Sequence, residues 1–161
     1  MSSEEYENTV NKYADMVFRI ALNECKNRED AEDVVQNTFL KLLQNKKAFA
    51  SEKHQKHWLI RVTVNECHSL FTSPWRQKTQ SLDAVEYQLA EETPEHSDLF
   101  YAVMELPAKY RNIVYLYYYE EYSIREISEI LKMKESTLQT RLMRARKMLK
   151  DKMKGVWQDE Q

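Results

Sequence analysis

The chain has 161 residues, of which 42% are hydrophobic and 31% are charged, and its formal net charge is −2. This length allows one domain or two small ones, and the composition is too apolar for general disorder and too polar for a membrane protein. The longest apolar run, Ile113 to Tyr119, has seven residues, against about 20 for a membrane-spanning helix. The single glycine, Gly155, excludes glycine-rich phosphate loops and with them Walker-type ATPases and dinucleotide-binding folds. This scarcity of helix-breaking residues predicts an all-α fold.

The N-terminus and the cysteines indicate the cellular compartment. The first residues, MSSEEYENTV, have neither a basic start nor an apolar core, so we expect no signal peptide. Cys25 and Cys67 lie far apart in the sequence, and a chain of this size does not need a disulfide. We therefore expect two free thiols in a reducing cytoplasm and no insertion into a membrane.

Three amphipathic helices are predicted in the N-terminal half. Apolar residues at helical spacing predict the first over residues 4–26. Asn27 has the position of an N-cap for the second, because the acidic residues that follow it oppose the positive end of a helix dipole. The third is predicted from about His57 to Phe71. The residues expected to face inward on the second and third helices are Val34, Val35, Thr38, Phe39, Leu42, Leu43, Trp58, Leu59, Val62 and Leu70.

An acidic segment follows these helices and separates two basic ones. Residues 82–105 contain seven acidic residues and no Lys or Arg. Residues 41–78 contain eight basic and two acidic residues, and residues 132–154 contain nine basic and two acidic ones. A charged run is often only a solvated helix face, but two basic segments in a helical protein favour a polyanionic partner. The acidic stretch predicts a linker over residues 74–95, between small helical domains at 1–73 and 96–155.

The C-terminal half has the pattern of a helix-turn-helix domain. Two short helices, broken at Pro107, are predicted first. Ser123 and Glu126 form a capping-box sequence that starts a short helix. Residues 132–134 predict a turn, and a longer basic helix follows, which completes the helix-turn-helix arrangement. The aromatic run at 115–119 could stack on nucleic-acid bases, but at helical spacing we interpret it as core.

Several stretches resemble one known family. Residues 30–43, DAEDVVQNTFLKLL, and 58–71, WLIRVTVNECHSLF, resemble region 2 of the extracytoplasmic-function (ECF) class of bacterial RNA polymerase sigma factors. Within residues 106–146, LPAKYR, REISEIL and STLQTRLMRAR resemble region 4 of the same class. The resemblance implies an alternative sigma factor that binds core RNA polymerase, recognises two elements of promoter DNA and helps to melt it. It also implies an anti-sigma factor that covers both domains.

The resemblance assigns residues of the first domain to two contacts. The second helix is implied to dock on the largest subunit of core polymerase through Asp33, Gln36, Asn37 and Leu40. The loop at 48–55 and the helix after it correspond to the part that opens the minus-ten element and captures a flipped base. The candidate DNA contacts there are Lys56, His57, Arg61 and Asn65.

In the second domain, the resemblance implies that the recognition helix enters the major groove of the minus-thirty-five element. The positions that match base-reading ones are Gln139, Thr140, Met143 and Arg144. The positions suited to phosphates are Arg141, Arg146 and Lys147.

Six positions depart from the family's usual pattern. Ser69 and Thr72 stand where many relatives carry an acidic residue and an arginine. Asn37 stands where an acidic residue is common, which weakens the docking charge. Lys134 replaces a serine-like N-cap of the recognition helix. Lys132 and Glu121 stand where relatives often have glycine, so we expect both turns to be strained or reshaped.

Two other classes of function are alternatives to the sigma factor. A stand-alone helix-turn-helix regulator would explain the basic C-terminal helix, but it leaves Asp33, Gln36 and the helix at 58–65 without a role. An enzyme lacks support, because no Ser/His/Asp or Cys/His arrangement is visible, and we expect no catalytic residues. The histidines and cysteines do not offer four ligands at structural-zinc spacing, so we expect neither a metal nor a cofactor.

Overall fold

A computed structural model describes residues 1–72 and 98–159 of the chain. Its contacts group the chain into two compact units, Met1–Leu89 and Ala90–Gln161, and the predicted linker at 74–95 lies outside the described residues. Within those residues the structure contains helices and turns and no strand, which confirms the all-α prediction. None of the described helices is long and apolar enough to cross a bilayer.

The first unit is built from three helices, α1 (Ser3–Cys25), α2 (Arg28–Gln44) and α3 (Glu52–Thr72). A capping box between Ser2 and Glu5 starts α1. The Asn27 side chain accepts a hydrogen bond from the Asp30 amide at 3.0 Å, which confirms the predicted N-cap of α2. The turn between these helices is short because Lys26 adopts a left-handed conformation with φ 52°.

The core of the first unit lies where the three helices pack against each other. The predicted inward faces are correct for Val34, Thr38, Phe39, Leu42 and Leu59, all of which are buried. Leu43 is instead 61% exposed, so its predicted inward position is wrong. Four other residues expected inward are only half-buried, namely Val35, Trp58, Val62 and Leu70. On α3 the buried residues are Leu59, Ile60, Thr63 and Cys67.

Polar contacts fix α3 against the other two helices. The Tyr13 hydroxyl of α1 donates a hydrogen bond to Glu52 Oε1 at 3.0 Å, and Lys12 forms an ion pair with the same carboxylate. Lys41 of α2 pairs with Glu66 of α3. Two lysines of the first unit are therefore paired with acidic residues of the same unit at its surface. Lys41 thus contributes less unpaired charge to the basic segment than the sequence alone suggests.

The second unit begins with α4 (Asp98–Glu105) and α5 (Ala108–Val114). These are the two short helices predicted on either side of Pro107. Arg111 is buried, and its Nη1 donates to the Leu106 carbonyl at 2.7 Å across this break. The side chain thereby satisfies a carbonyl that the end of α4 leaves without a helical partner.

A π-helical turn, Tyr115–Tyr119, continues from α5. The Glu120 amide donates to the Tyr115 carbonyl at 3.2 Å, five residues back, so the turn is wider than an α-helix. Tyr115 is buried, whereas Tyr118 and Tyr119 are 49% and 53% exposed. The interpretation of the whole aromatic run as core is therefore wrong for its last two residues.

The helix-turn-helix consists of α6 (Ile124–Leu131) and α7 (Glu135–Asp159). The predicted capping box is present, with reciprocal bonds of 3.1 Å between Ser123 and Glu126. Lys132 and Glu121 adopt φ values of 56° and 58°, a conformation that costs a residue with a Cβ roughly 1 kcal/mol. These are the two turns expected to be strained, and both keep the geometry that glycine would favour.

Lys134 occupies the N-terminal boundary of α7. Its carbonyl accepts the first helical hydrogen bond, from the Leu138 amide at 3.1 Å. A lysine side chain has no acceptor with which to cap the free amides of the first turn. The recognition helix therefore begins without the side-chain cap that serine would supply.

Candidate functional site

The outward side of α2 carries the predicted polymerase contacts. Asp33, Gln36, Asn37 and Leu40 are all exposed, while Val34 and its neighbours on the other side form the core. Leu40 is 49% exposed and Leu43 is 61% exposed. Leu43 follows Gln36 by seven residues, close to two helical turns, and so lies on the same side of the helix. The outward side of α2 thus combines a carboxylate and two amides with two exposed leucines.

Sequence reasoning missed Leu43 because it matched the apolar spacing of the core. The seven-residue spacing between Gln36 and Leu43, close to two helical turns, is the sequence signal that indicates its outward position. An exposed leucine pair on a polar face is typical of a protein contact, since it removes apolar area from water when a partner covers it.

On α3, the candidate minus-ten contacts do not all share one face. His57, Arg61 and Asn65 follow each other at intervals of four residues and form one stripe along the helix. Asn65 is exposed and the other two are half-buried. Lys56 lies roughly 140° around the helix from Arg61, given about 100° per residue. The structure therefore brings three of these four residues together and separates Lys56 from them.

The loop before α3 is shorter than predicted. It was expected over residues 48–55, but α3 begins at Glu52, because the Ser51 hydroxyl caps the His54 amide at 3.1 Å. The Phe49 ring packs edge-on against His54 and Trp58, with centroids 5.5 Å apart in each pair. A cavity of about 800 Å³ lies against this loop. It is lined by Met1, Glu5, Leu42, Leu43, Asn45, Lys46, Lys47, Ala48, Phe49, Ser51, Glu52 and Gln55.

On α7, most of the predicted minus-thirty-five contacts form one exposed face. Its residues are Gln139, Thr140, Met143, Arg144 and Lys147. The opposite side is buried through Leu138, Leu142 and Ala145. Met143 is 62% exposed and is the apolar member of this face. The Thr140 hydroxyl donates a hydrogen bond to the Ser136 carbonyl at 3.0 Å. Its proton is thereby used within the helix, and only the methyl group and the oxygen lone pairs of Thr140 remain for contacts with another molecule.

The two remaining arginines lie at opposite edges of this face. Arg141 is half-buried and lies roughly 160° around the helix from Met143, so it does not share the central face. Arg146 is exposed at the other edge, where its Nε donates to the Tyr118 hydroxyl at 2.6 Å. Its guanidinium also lies 5.3 Å from the centroid of the Tyr117 ring and 5.7 Å from that of Tyr118.

The contact with the Tyr118 hydroxyl raises the pKa of Arg146 above its usual value. An arginine is already charged at every physiological pH, so the consequence of the contact is mainly geometric. The tyrosines hold the guanidinium at a defined place beside the recognition helix. This pairing could not be predicted from residue patterns, because the two residues lie 28 positions apart.

Comparison with known families covers both units. A model described as Sigma-70 region 2 matches residues 9–77, and one described as Sigma-70, region 4 matches residues 97–149. The ECF RNA polymerase sigma factor SigM of Bacillus subtilis is 30% identical over 145 residues, which are 86% of this chain and 88% of that protein. The chain belongs to the ECF family of RNA polymerase sigma factors. The predicted ECF sigma factor is thereby confirmed over the stand-alone regulator, and the protein directs transcription initiation.

Further relatives agree with this family. The RNA polymerase sigma factor SigV of Bacillus subtilis is 28% identical to this ECF sigma factor over 136 residues, covering 83% of this chain and 81% of the relative. Among solved structures, the sigma factor RpoE in complex with the anti-sigma factor NepR, from Bartonella quintana, superposes with a TM-score of 0.74 at 21% identity. That match covers 94% of this chain and 98% of the RpoE chain, and it supports the fold.

Within residues 1–72 and 98–159 of this ECF sigma factor, no group of three or more His, Cys, Asp or Glu side chains could hold a metal ion. The His54 imidazole instead accepts a hydrogen bond from the Ala50 amide through Nδ1 at 3.1 Å. It therefore has a local role in shaping the loop before α3.

Proposed function

We propose that this sigma factor binds core RNA polymerase through α2 and promoter DNA through α3 and α7. In this proposal residues 1–73 act as the polymerase and minus-ten domain, residues 74–95 as the linker, and residues 96–155 as the minus-thirty-five domain. The observation that carries it is the outward side of α2, where Asp33, Gln36 and Asn37 surround two exposed leucines. A regulator that binds only duplex DNA has no need for such a surface.

For the minus-ten element, the proposal rests on the α3 stripe and the cavity beside the preceding loop. Arg61 supplies a cation for phosphate, and Asn65 supplies an amide for a base edge. The cavity lies against Phe49, whose ring offers an apolar surface to an unstacked base. Lys56 lies apart from the stripe, so we place it on the backbone of the flanking DNA.

For the minus-thirty-five element, the exposed face of α7 enters the major groove. Gln139 can pair with adenine and Arg144 with guanine through two hydrogen bonds each, and Met143 can pack on a thymine methyl group. Lys147 and Arg146 contact phosphates at either side of these base contacts. The half-buried Arg141 contributes to the positive potential without a direct base contact.

The family also supports proposals about a regulatory partner and the cellular compartment. The structural relative RpoE is a sigma factor that was solved in complex with the anti-sigma factor NepR. We propose that an anti-sigma factor regulates this chain too. We further propose that the protein acts in the cytoplasm as a non-enzymatic initiation factor.

Mixing the purified chain with bacterial core RNA polymerase tests the central proposal. We expect the two to co-elute in gel filtration. We also expect the complex to initiate RNA synthesis from a promoter at which core polymerase alone does not initiate. Retained binding to duplex DNA without co-elution would instead support the stand-alone regulator.

The Tyr118–Arg146 contact predicts a measurable effect on DNA binding. Tyr118→Phe keeps the ring but removes the acceptor of the Arg146 Nε bond, so the arginine loses its fixed orientation before it meets a phosphate. We expect affinity for a minus-thirty-five duplex to fall about fivefold, measured by fluorescence anisotropy. In an Arg146→Ala background the same change should have no further effect.

Tyr119→Phe is the matched control for this prediction. Tyr119 comes from the same π-helical turn and is similarly exposed, but its ring stacks on Tyr115 at 5.6 Å. We expect its loss of hydroxyl to leave DNA affinity unchanged. Equal losses from Tyr118→Phe with and without Arg146 would contradict the positioning role.

A further inference from the structure

The two cysteines of the first unit lie together in its interior. Cys25 is the last residue of α1, and Cys67 lies on the buried side of α3, 42 positions later. Their Sγ atoms are 3.9 Å apart, and the Cys25 thiol donates a hydrogen bond to Cys67. Both are free thiols. We propose that Cys25 and Cys67 are an oxidation site, which forms a reversible intramolecular disulfide with a peroxide or with glutathione disulfide.

The geometry requires only a local movement. A disulfide bond is about 2.05 Å long, so the two sulfur atoms must approach each other by about 2 Å from their present separation. Cys25 lies at a helix end, next to the left-handed Lys26, and helix ends open more readily than helix centres. The movement therefore falls mainly on the turn between α1 and α2 and leaves the centre of α3 in place.

The surroundings of the thiols determine the order and rate of the reaction. Cys25 is 8% exposed and Cys67 is completely buried, so a small oxidant reaches Cys25 first. The hydrogen bond with Cys25 and burial both raise the pKa of the Cys67 thiol. A thiol that stays protonated is a poor nucleophile, so the pair reacts slowly in the closed protein and faster when the end of α1 opens.

With hydrogen peroxide the reaction proceeds in two balanced steps. Peroxide converts the Cys25 thiol into a sulfenic acid and releases one water molecule. The Cys67 sulfur then attacks the sulfenic sulfur, the S–S bond forms, and the displaced hydroxyl leaves with the Cys67 proton as a second water. Two electrons pass from the thiols to the peroxide, and an external dithiol reverses the change. With glutathione disulfide, the Cys25 sulfur displaces one glutathione thiol to form a mixed disulfide, and the Cys67 sulfur then displaces the second, so the same two electrons reduce the glutathione disulfide to two thiols.

The disulfide would join α1 to α3 on the buried side of α3, away from the proposed binding faces. Cys67 is buried while Asn65, two residues earlier, is exposed, so the disulfide forms on the side of α3 away from the minus-ten stripe. It joins that helix to the turn from which α2 begins. Closing so long a loop restricts the unfolded chain, and the oxidised first unit is therefore more resistant to unfolding while both faces remain available.

The test uses the full chain treated with hydrogen peroxide or with glutathione disulfide, then alkylated and digested. We expect a cross-linked peptide pair containing Cys25 and Cys67, and an intact mass lower by two hydrogen atoms. We also expect the Tm of the oxidised protein to rise by more than about 5 °C and dithiothreitol to reverse the rise. Separate glutathione adducts or disulfides between chains would overturn the proposal. A Cys25–Cys67 disulfide with no change in Tm would contradict the stabilising effect.

Cys25→Ala and Cys67→Ala are the controls. Each removes one sulfur atom from the core with a small change of volume, and the Tm of each reduced variant shows whether it folds. Oxidant should leave the Tm of both variants unchanged, and a rise in either would contradict the assignment. Peptide mapping of the unmodified sequence remains decisive even if a variant fails to fold.

Discussion

Alanine at both Asp33 and Gln36 is expected to weaken binding to core RNA polymerase by roughly 100-fold, or about 3 kcal/mol. Both side chains lie exposed on α2, opposite the side that forms the core. A carboxylate makes charge-assisted hydrogen bonds to a basic partner, and their loss leaves the partner's buried donors unsatisfied. Titration of labelled sigma factor with core polymerase measures the effect.

A matched control separates this effect from a general loss of surface polarity. Glu7 and Asn11 also present a carboxylate and an amide, and both are exposed on α1. The Glu7→Ala/Asn11→Ala variant should bind core polymerase as the unmodified chain does. The Asp33/Gln36 variant should keep its affinity for a minus-thirty-five duplex. A parallel loss of both activities would contradict the assignment of polymerase binding to α2.

Leu43 belongs to the same outward surface of α2. Apolar spacing predicts a core position for Leu43, because it lies next to Leu42 and four residues after Phe39, both of which face inward. The structure exposes it beside Leu40. A pattern of apolar residues records where a helix is hydrophobic, but it does not distinguish a core from a surface kept apolar for a partner. At this position the seven-residue spacing from Gln36 is the sequence signal for the outward side, and the exposure of Leu43 in the fold decides between the two.

Local signals explain why most of the architecture was predictable. Asn27, Ser123 and the break at Pro107 act through hydrogen bonds and backbone angles within a few residues. The left-handed conformations of Lys132 and Glu121 were also foreseeable, because the turn geometry constrains the backbone whatever side chain it carries. The start of α3 was less predictable, because Ser51, which caps this helix, lies in the middle of the predicted loop.

Long-range contacts explain what the sequence could not reveal. Arg146 was assigned to phosphates by resemblance alone, and its contact with Tyr118 depends on how the π-helical turn packs against α7. The approach of Cys25 to Cys67 likewise depends on the packing of α1 and α3. Lys56 and Arg141 are a different case, because at about 100° per residue their spacing from Arg61 and Met143 already places them away from the central stripes. The residue types therefore predict which kinds of contact the protein can make, and the helix faces determine which residues can make them together.

Replacing Arg144 by alanine is expected to reduce minus-thirty-five recognition by about 1–3 kcal/mol, concentrated at a single base pair. Arg144 is exposed on α7 next to Met143, within the face proposed to enter the major groove. Its guanidinium can donate two hydrogen bonds to one guanine, and alanine removes both. Affinities for a series of duplexes, each changed at one base pair, should show that the variant no longer discriminates at one position.

Lys147→Ala is the matched control, because Lys147 lies three residues further along the same exposed face. An ammonium group is a point charge without the paired donors of a guanidinium. Its loss should weaken binding to every duplex in the series alike and lower the salt slope of log affinity by about 1. Uniform losses from both variants would contradict base reading by Arg144. A single-position loss from Arg144→Ala alone would follow only if its guanidinium faces a base while the neighbouring lysine faces the phosphates.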